Sequence, residues 1–319
     1  MDPTDLSQRS ASRAGLRALP PFARGAIAAL LLTLNTLFWC VPLFAAALLK
    51  LVLRAPAARA ATDRLLNGIA HRWIDCNSAW MRLTQDTRWD VQGLEHLAPQ
   101  GWYLVGCNHQ SWADIFVLQR LLNRRIPLLK FVLKQQLIYV PVIGLAWWAL
   151  DFPFMRRYSR AYLERHPEMR GRDLEATRRA CEKFRRTPTS VMSFVEGTRF
   201  APAKHRAQQS PYRHLLRPKA GALSQALGVL GERFSWFLDV TIVYPQGAPS
   251  FWRFLCGAVP EVVVHIHRRP IPPALREGDE VADARFRGRV EEWLETLWRD
   301  KDREIDGLLS QRSGSAPTG

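Results

Sequence analysis

Three patterns of apolar spacing divide the chain. From Gly25 to Leu49 no charged residue interrupts a run of Ala, Leu, Phe and Trp. A run of this length passes the threshold for a membrane-crossing helix. It is long for the apolar region of a signal peptide, and no small-residue cleavage site follows cleanly. Pro42 sits inside it and predicts a break or kink. Beyond it, Leu65, Leu66, Ile69, Trp73, Ile74 and Cys76 recur roughly at helical spacing and predict a helical stretch over 54–88. Short apolar runs at Trp102–Cys107, Thr189–Val195, Leu238–Val243 and Val262–Ile266 predict buried strands. Helices are predicted over Trp112–Leu122, over Phe131–Leu137 with a stop near Pro141, and over the charged segment Asp173–Arg186. Val290, Trp293, Leu294, Leu297 and Trp298 fall on one face of an amphipathic helix.

Strands alternating with helices predict an α/β fold: a mostly β central sheet flanked by helices, with an N-terminal helical membrane motif. The expected organisation is a flexible basic N-terminus (1–20), a membrane-embedded helix or helical hairpin (21–56), one domain over 57–309 and a flexible tail (310–319). No internal repeat is visible.

Charge sharpens this picture. The 319 residues carry 45 Lys+Arg against 29 Asp+Glu, a net charge of +16. Such an excess calls for an acidic partner: nucleic acid, an anionic membrane surface or a phosphorylated substrate. Arg9, Arg13, Arg17 and Arg24 precede the apolar run, and Lys50, Arg54, Arg59 and Arg64 follow it. With both flanks basic, the positive-inside rule favours a helix–Pro–helix hairpin dipping into one leaflet over a single span. The load of 12 Trp and 15 Phe fits contact with something partly apolar. The five cysteines are scattered without C-x-x-C or zinc-finger spacing, which argues against a disulfide framework or a structural zinc and for a reducing compartment.

Four segments carry candidate chemistry. Asn108-His109-Gln110-Ser111-Trp112-Ala113-Asp114 follows a predicted strand and opens a predicted helix. Ser111-x-x-Asp114 fits a capping box, and the loop-to-helix turn can bring Asp114 to His109. His109 is then a candidate general base, with Asp114 on its other ring nitrogen. Alone, the same residues also fit a capped helix beside an ordinary loop histidine. Phe194-Val195-Glu196-Gly197-Thr198-Arg199-Phe200 ends a predicted strand; its turn exposes backbone N–H groups, and Arg199 offers a fork that matches phosphate. It is not a P-loop, and by itself it also fits an ordinary turn. Asp151-Phe152-Pro153-Phe154-Met155-Arg156-Arg157 could hold a second anion, and Leu238 to Pro245 is a strand closing on proline. Cys107 stands two residues before His109, but its strand-end position suits a packed thiol better than a nucleophile. The G-x-S-x-G elbow of esterases is absent.

In this order and spacing the four segments resemble the 1-acylglycerol-3-phosphate acyltransferase family, the lysophospholipid acyltransferases. His109 and Asp114 match its H-x-x-x-x-D. Phe154 and Arg157 match G-x-x-F-x-x-R, with Asp151 in place of the leading Gly. Phe194, Glu196, Gly197, Thr198 and Arg199 match F-P-E-G-T-R, with Val195 in place of Pro. Pro245 closes the fourth block. Leu133-Lys134, Lys204-His205, Arg217-Pro218-Lys219 and Lys301-Asp302 look like the branch containing lysocardiolipin acyltransferases. The resemblance covers roughly residues 95–305.

It implies acyl transfer from acyl-CoA or acyl carrier protein to the free hydroxyl of a lysophospholipid, lysophosphatidic acid first. His109 would be the base and Asp114 its partner. Arg157, Glu196, Gly197, Thr198, Arg199 and, more weakly, Lys219 would bind the acceptor. No metal and no bound cofactor is implied, and an anionic membrane surface would account for the basic charge without nucleic acid. Another lysolipid, such as lysocardiolipin or lysophosphatidylglycerol, is the alternative acceptor. A membrane-anchored basic RNA- or lipid-binding protein would explain the charge but not the two motifs. The cytoplasmic face of an inner membrane is expected if the donor is cytosolic.

Overall fold

The computed structural model describes residues 15–53, 55–155, 165, 184, 187–276 and 284–313. The charged segment predicted over Asp173–Arg186 lies almost wholly outside them, as does Arg157.

Two long helices come first. Helix α1 is Pro21–Val52 and α2 is Pro56–Thr84. The connection is too short for anything but a reversal, so the two pack side by side. Asn35 of α1 donates to Asn77 Oδ1 (2.9 Å) and to the Trp73 carbonyl (3.0 Å), and Trp73 Nε1 donates to Thr36 Oγ1 (3.2 Å). The expected hairpin with its apex at Pro42 is therefore corrected: α1 runs unbroken through Pro42, and the reversal falls after Val52. A proline removes one main-chain bond at a cost of about 3 kcal/mol, and the turns on either side, locked to α2, hold the helix together. Only 17% of the most apolar window of α1 is buried. Leu30, Leu34, Leu37, Phe38, Val41 and Leu48 form an exposed stripe along it, so α1 is not the core helix of the domain. Gly25 lets its first turns close on a later helix: a Cβ there would stand 2.6 Å from Cys256 Sγ.

The sheet is assembled from β1 (Arg88–Gln92), β2 (Tyr103–Cys107), β3 (Leu129–Phe131), β6 (Ser190–Phe194), β7 (Trp236–Val243) and β8 (Glu261–Arg269). Strands β4 (Leu133–Lys134) and β5 (Phe154–Met155) make a separate small pair. The main order is β1-β8-β7-β2-β6-β3. All neighbours are parallel except β7 and β8. Alternate residues enter different cores. Val105, Cys107, Leu238, Val240, Ile242, Val262 and Val264 join the layer containing α1, α2 and α3 (Ala113–Leu122). Leu104, Phe237, Val243 and Val263 join the other layer, with α6 (Gly221–Leu230) and α8 (Ala284–Ser313). Between these lie three short helices, α4 (Ile143–Ala149), α5 (Pro202–Ala207) and α7 (Phe251–Leu255).

The four predicted strands, the helix predicted over Trp112–Leu122 and the amphipathic helix around Val290 are found. Phe131–Leu137 is not an α-helix: it is the end of β3, then β4, then a 3-10 turn at Gln135–Tyr139. Phe131 hydrogen-bonds into the sheet instead, opposite Met192. Helix α8 continues past Leu309 to Ser313, carrying Leu308 and Arg312 onto the domain.

Candidate active site

The parallel strands β2, β6 and β7 end at one edge of the sheet, and their following loops meet there. Crevices at the carboxyl ends of parallel strands are where open α/β sheets bind ligands. Asn108 clips the first loop to β7: its Nδ2 donates to the Ile242 carbonyl and its Oδ1 accepts from the Ile242 N–H, each at 2.8 Å. Phe200 N–H donates to the His109 carbonyl (2.7 Å), joining that loop to the turn after β6.

His109 and Asp114 come together. The Asp114 carboxylate is fully buried, and its Oδ2 accepts from His109 Nδ1 (2.8 Å), from the Gln110 N–H (2.7 Å) and from the Ser111 N–H (2.9 Å). Its Oδ1 accepts from the Tyr244 hydroxyl (2.7 Å). The capping box thus doubles as the clamp for the imidazole. Ser111 completes it: its hydroxyl donates to the Pro249 carbonyl (2.7 Å) and accepts from the Ala113 N–H (3.1 Å). The His109 ring stacks on Phe194, centroids 3.7 Å apart. With Nδ1 committed and one face covered, Nε2 is the nitrogen left for a substrate, and it has no hydrogen bond among the described residues. Burial and the Asp114 charge push the Tyr244 phenol well above its ordinary value, so it stays a donor. Burial likewise pushes the Cys107 thiol well up, which keeps it protonated and packed.

The Glu-Gly-Thr-Arg turn lies beside this pair. Gly197 takes φ +69°, the left-handed region a tight turn requires. Val195, standing where the family pattern has Pro, uses the N–H that proline lacks: it donates to the Cys107 carbonyl (3.1 Å) and prolongs the pairing of β6 with β2. Glu196 is 1% exposed. Burial pushes its carboxyl well up, while hydrogen bonds from the His109 and Leu216 backbone oppose this. Its Oε2 is buried without a hydrogen-bond partner among the described residues. Arg199 is exposed, its guanidinium 5.0 Å from the Trp112 ring centroid. Lys204 of α5 donates to Thr198 Oγ1 (2.6 Å) and to the Arg199 carbonyl (3.1 Å), adding a cation to the turn. Lys219 is exposed, and its N–H donates to the Val195 carbonyl (2.8 Å).

Asp151, in the place of the second block's Gly, takes φ +57°. The left-handed backbone is kept despite the side chain, whose carboxylate pairs with Lys50 of α1 (2.5 Å), and Lys50 also reaches Asp63 of α2 (2.6 Å). The loop leading to Phe154 is thereby tied to both N-terminal helices.

Tyr244, Asn108, Phe194 as a stacking platform and Trp112 under Arg199 were not singled out from sequence. Tyr244 immediately precedes Pro245 of the fourth block, the one signal that could have pointed to it.

A sequence model of the family described as Acyltransferase matches residues 88–245. The chain is similar to mouse 1-acyl-sn-glycerol-3-phosphate acyltransferase gamma, 26% identical over 244 residues, covering 72% of this chain and 57% of that protein. It is also similar to 1-acyl-sn-glycerol-3-phosphate acyltransferase 2 of Brassica napus, 28% identical over 209 residues, covering 62% and 50% respectively. The chain therefore spans between half and three-fifths of these two curated relatives. Among solved structures it is similar to the 1-acyl-sn-glycerophosphate (LPA) acyltransferase, PlsC, from Thermotoga maritima, with 19% identity, a TM-score of 0.49, and coverage of 92% of this chain and 100% of that one.

Proposed function

We propose, for a chain that belongs to the 1-acylglycerol-3-phosphate acyltransferase family of lysophospholipid acyltransferases, that it acylates the free hydroxyl of lysophosphatidic acid to give phosphatidic acid. The observation that carries this is the His109–Asp114 pair held at the mouth of the crevice beside the Glu-Gly-Thr-Arg turn. The donor is a thioester, acyl-CoA or acyl carrier protein.

His109 Nε2 accepts the proton of the attacking hydroxyl as its oxygen bonds to the thioester carbonyl carbon. The C–S bond then breaks, and the imidazolium returns the proton to the departing thiolate. Asp114 fixes the tautomer with hydrogen on Nδ1 and stabilises the imidazolium. General-base assistance of this kind is worth about 10²–10⁴-fold. No covalent acyl-enzyme is needed.

Arg199, with Lys204 and the Gly197–Thr198 backbone, binds the acceptor phosphate. Arg157 and Lys219 are further candidates for the same charge. Glu196 acts by bracing the His109 loop. The exposed stripe of α1 lies in one leaflet and α2, which carries Arg59, Asp63, Arg64 and Arg72, stays at the interface, so that the crevice meets the lysolipid where it resides. Basic residues near the surface add about 1 kcal/mol each toward anionic lipid. The proposed location is the cytoplasmic side of an inner membrane.

The test is turnover in lipid nanodiscs with acyl-CoA or acyl carrier protein and a panel of lysolipids, read by mass spectrometry. Phosphatidic acid made by the wild type and absent with His109→Ala is the expected result. Product from another lysolipid alone would keep the mechanism and change the acceptor. No product with either donor would overturn the proposal.

A further inference from the structure

On the other face of the sheet, away from α3, the strand β8 and the helix α8 bring three metal-ligand side chains together. His265 and His267 are two apart on β8, so both rings leave the same face, opposite Thr241 and Asp239 of β7. Glu304 reaches them from α8. Its Oε1 lies 2.9 Å from His265 Nδ1 and 2.6 Å from His267 Nε2. Its Oε2 accepts from the Thr241 hydroxyl at 2.8 Å. One ligand atom from each of the three residues lies within 4.8 Å of the other two.

We propose that His265, His267 and Glu304 form a binding site for a divalent transition-metal ion, zinc in the first place, that staples β8 to α8. Two imidazoles and a carboxylate are borderline donors, suited to zinc and unsuited to magnesium or calcium. Bonds of about 2.0–2.2 Å place tetrahedral ligands roughly 3.4 Å apart, so Glu304 Oε1 needs to part from each imidazole nitrogen by less than an ångström, with the two nitrogens, within 4.8 Å of each other, adjusting to the same spacing. The carboxylate is already oriented by Thr241, as outer hydrogen bonds orient metal ligands. His267 is 45% exposed, against 12% for His265 and 20% for Glu304. That gives the ion a route in and leaves a fourth position for water. The nearby cations do not oppose it directly. Lys301 (2.8 Å) and Arg269 (3.0 Å) both pair with Asp239, which is not one of the ligands.

The experiment is calorimetric titration of zinc chloride into tag-free, chelator-stripped full-length protein, with thermal unfolding followed in parallel. One zinc per chain and a Tm raised by several degrees at saturating metal are expected. His267→Asn and Glu304→Gln should each weaken binding by at least about 10-fold and remove the zinc-dependent rise, while His96→Asn, at an exposed site, should change neither. The zinc X-ray absorption spectrum of the wild type should show two imidazoles. If Glu304→Gln does not fold, the half-exposed His267→Asn carries the test alone. Absence of saturable 1:1 binding, or binding unchanged in folded His267→Asn, would overturn the proposal. A hydrogen-bonded clasp without metal would lower Tm in the variants but show no response to zinc.

Discussion

Two clusters of carboxylate and imidazole flank β7, one buried and one partly exposed, and they differ in what the imidazole is left to do. At the crevice, Asp114 spends all its acceptor capacity on one side chain ring, one phenol and two backbone N–H groups. His109 keeps its second nitrogen free of any hydrogen bond among the described residues. On the far face, Glu304 accepts from two histidines and a threonine, and Lys301 lies fully buried on the Val240 carbonyl (2.7 Å), Thr241 Oγ1 (2.9 Å) and Asp239. The first cluster closes a loop against a helix start. The second joins a strand to a helix, with His267 45% exposed. The same side-chain chemistry ties down a loop in one place and joins a strand to a helix in the other.

The comparison breaks most cleanly by exchanging losses of rate for losses of stability. His109→Ala should cost turnover about 10²–10⁴-fold, with Tm near that of the wild type, measured by acyl transfer and calorimetry on the same preparation. Lys301→Met should do the reverse. It leaves Asp239 with Arg269 alone and the Val240 carbonyl without its lysine donor, and breaking a buried ion pair costs up to about 3–5 kcal/mol, to be read from denaturant unfolding, while kcat in the folded fraction stays within a few fold. Tyr244→Phe removes one donor to a buried carboxylate, worth about 1.5–3 kcal/mol. Its expected effect is a lower kcat with little change in KM for the acceptor.

Smaller effects sharpen the contrast. In chelator, the Tm gap between wild type and His267→Asn should depend on pH. The Glu304 carboxyl is held below its ordinary 4.5, so its contribution is present above that value and lost as pH falls. The His267 ring is raised above its ordinary 6.5, first by its bond to Glu304, so its contribution is present below 6.5 and lost as pH rises through the raised value. The gap should be widest between the two. Smallest is Asp151→Gly, which restores the family's residue. It relieves the left-handed strain but frees Lys50, so Tm should move by only a few degrees, with KM for the acceptor rising modestly if the tie to α1 positions the loop.

Much of the site could be read along the chain because its parts are local. A strand, a five-residue loop motif and a helix start are contiguous, and the Ser111–Asp114 cap writes its own geometry. Glu196 was harder. Nothing in the motif itself shows that this carboxylate is 1% exposed, because its burial comes from loops far apart in the chain. Phe131–Leu137 misled for a similar reason: apolar residues over seven positions suit helix or strand, and pairing with β6 decided it.

The sequence by itself determined the α/β alternation, the apolar N-terminal helix and the basic excess, and made a histidine and an aspartate five residues on a candidate pair, because periodicity, charge and capping act over a few neighbours. Tertiary structure alone decided that α1 passes straight through Pro42 onto α2, that Tyr244 supplies the fourth donor to Asp114, and that His265, His267 and Glu304 meet. Each of those depends on residues far apart in the chain, 130 positions in the case of Tyr244 and Asp114, and only the packing of the sheet against its helices brings such groups within hydrogen-bonding distance.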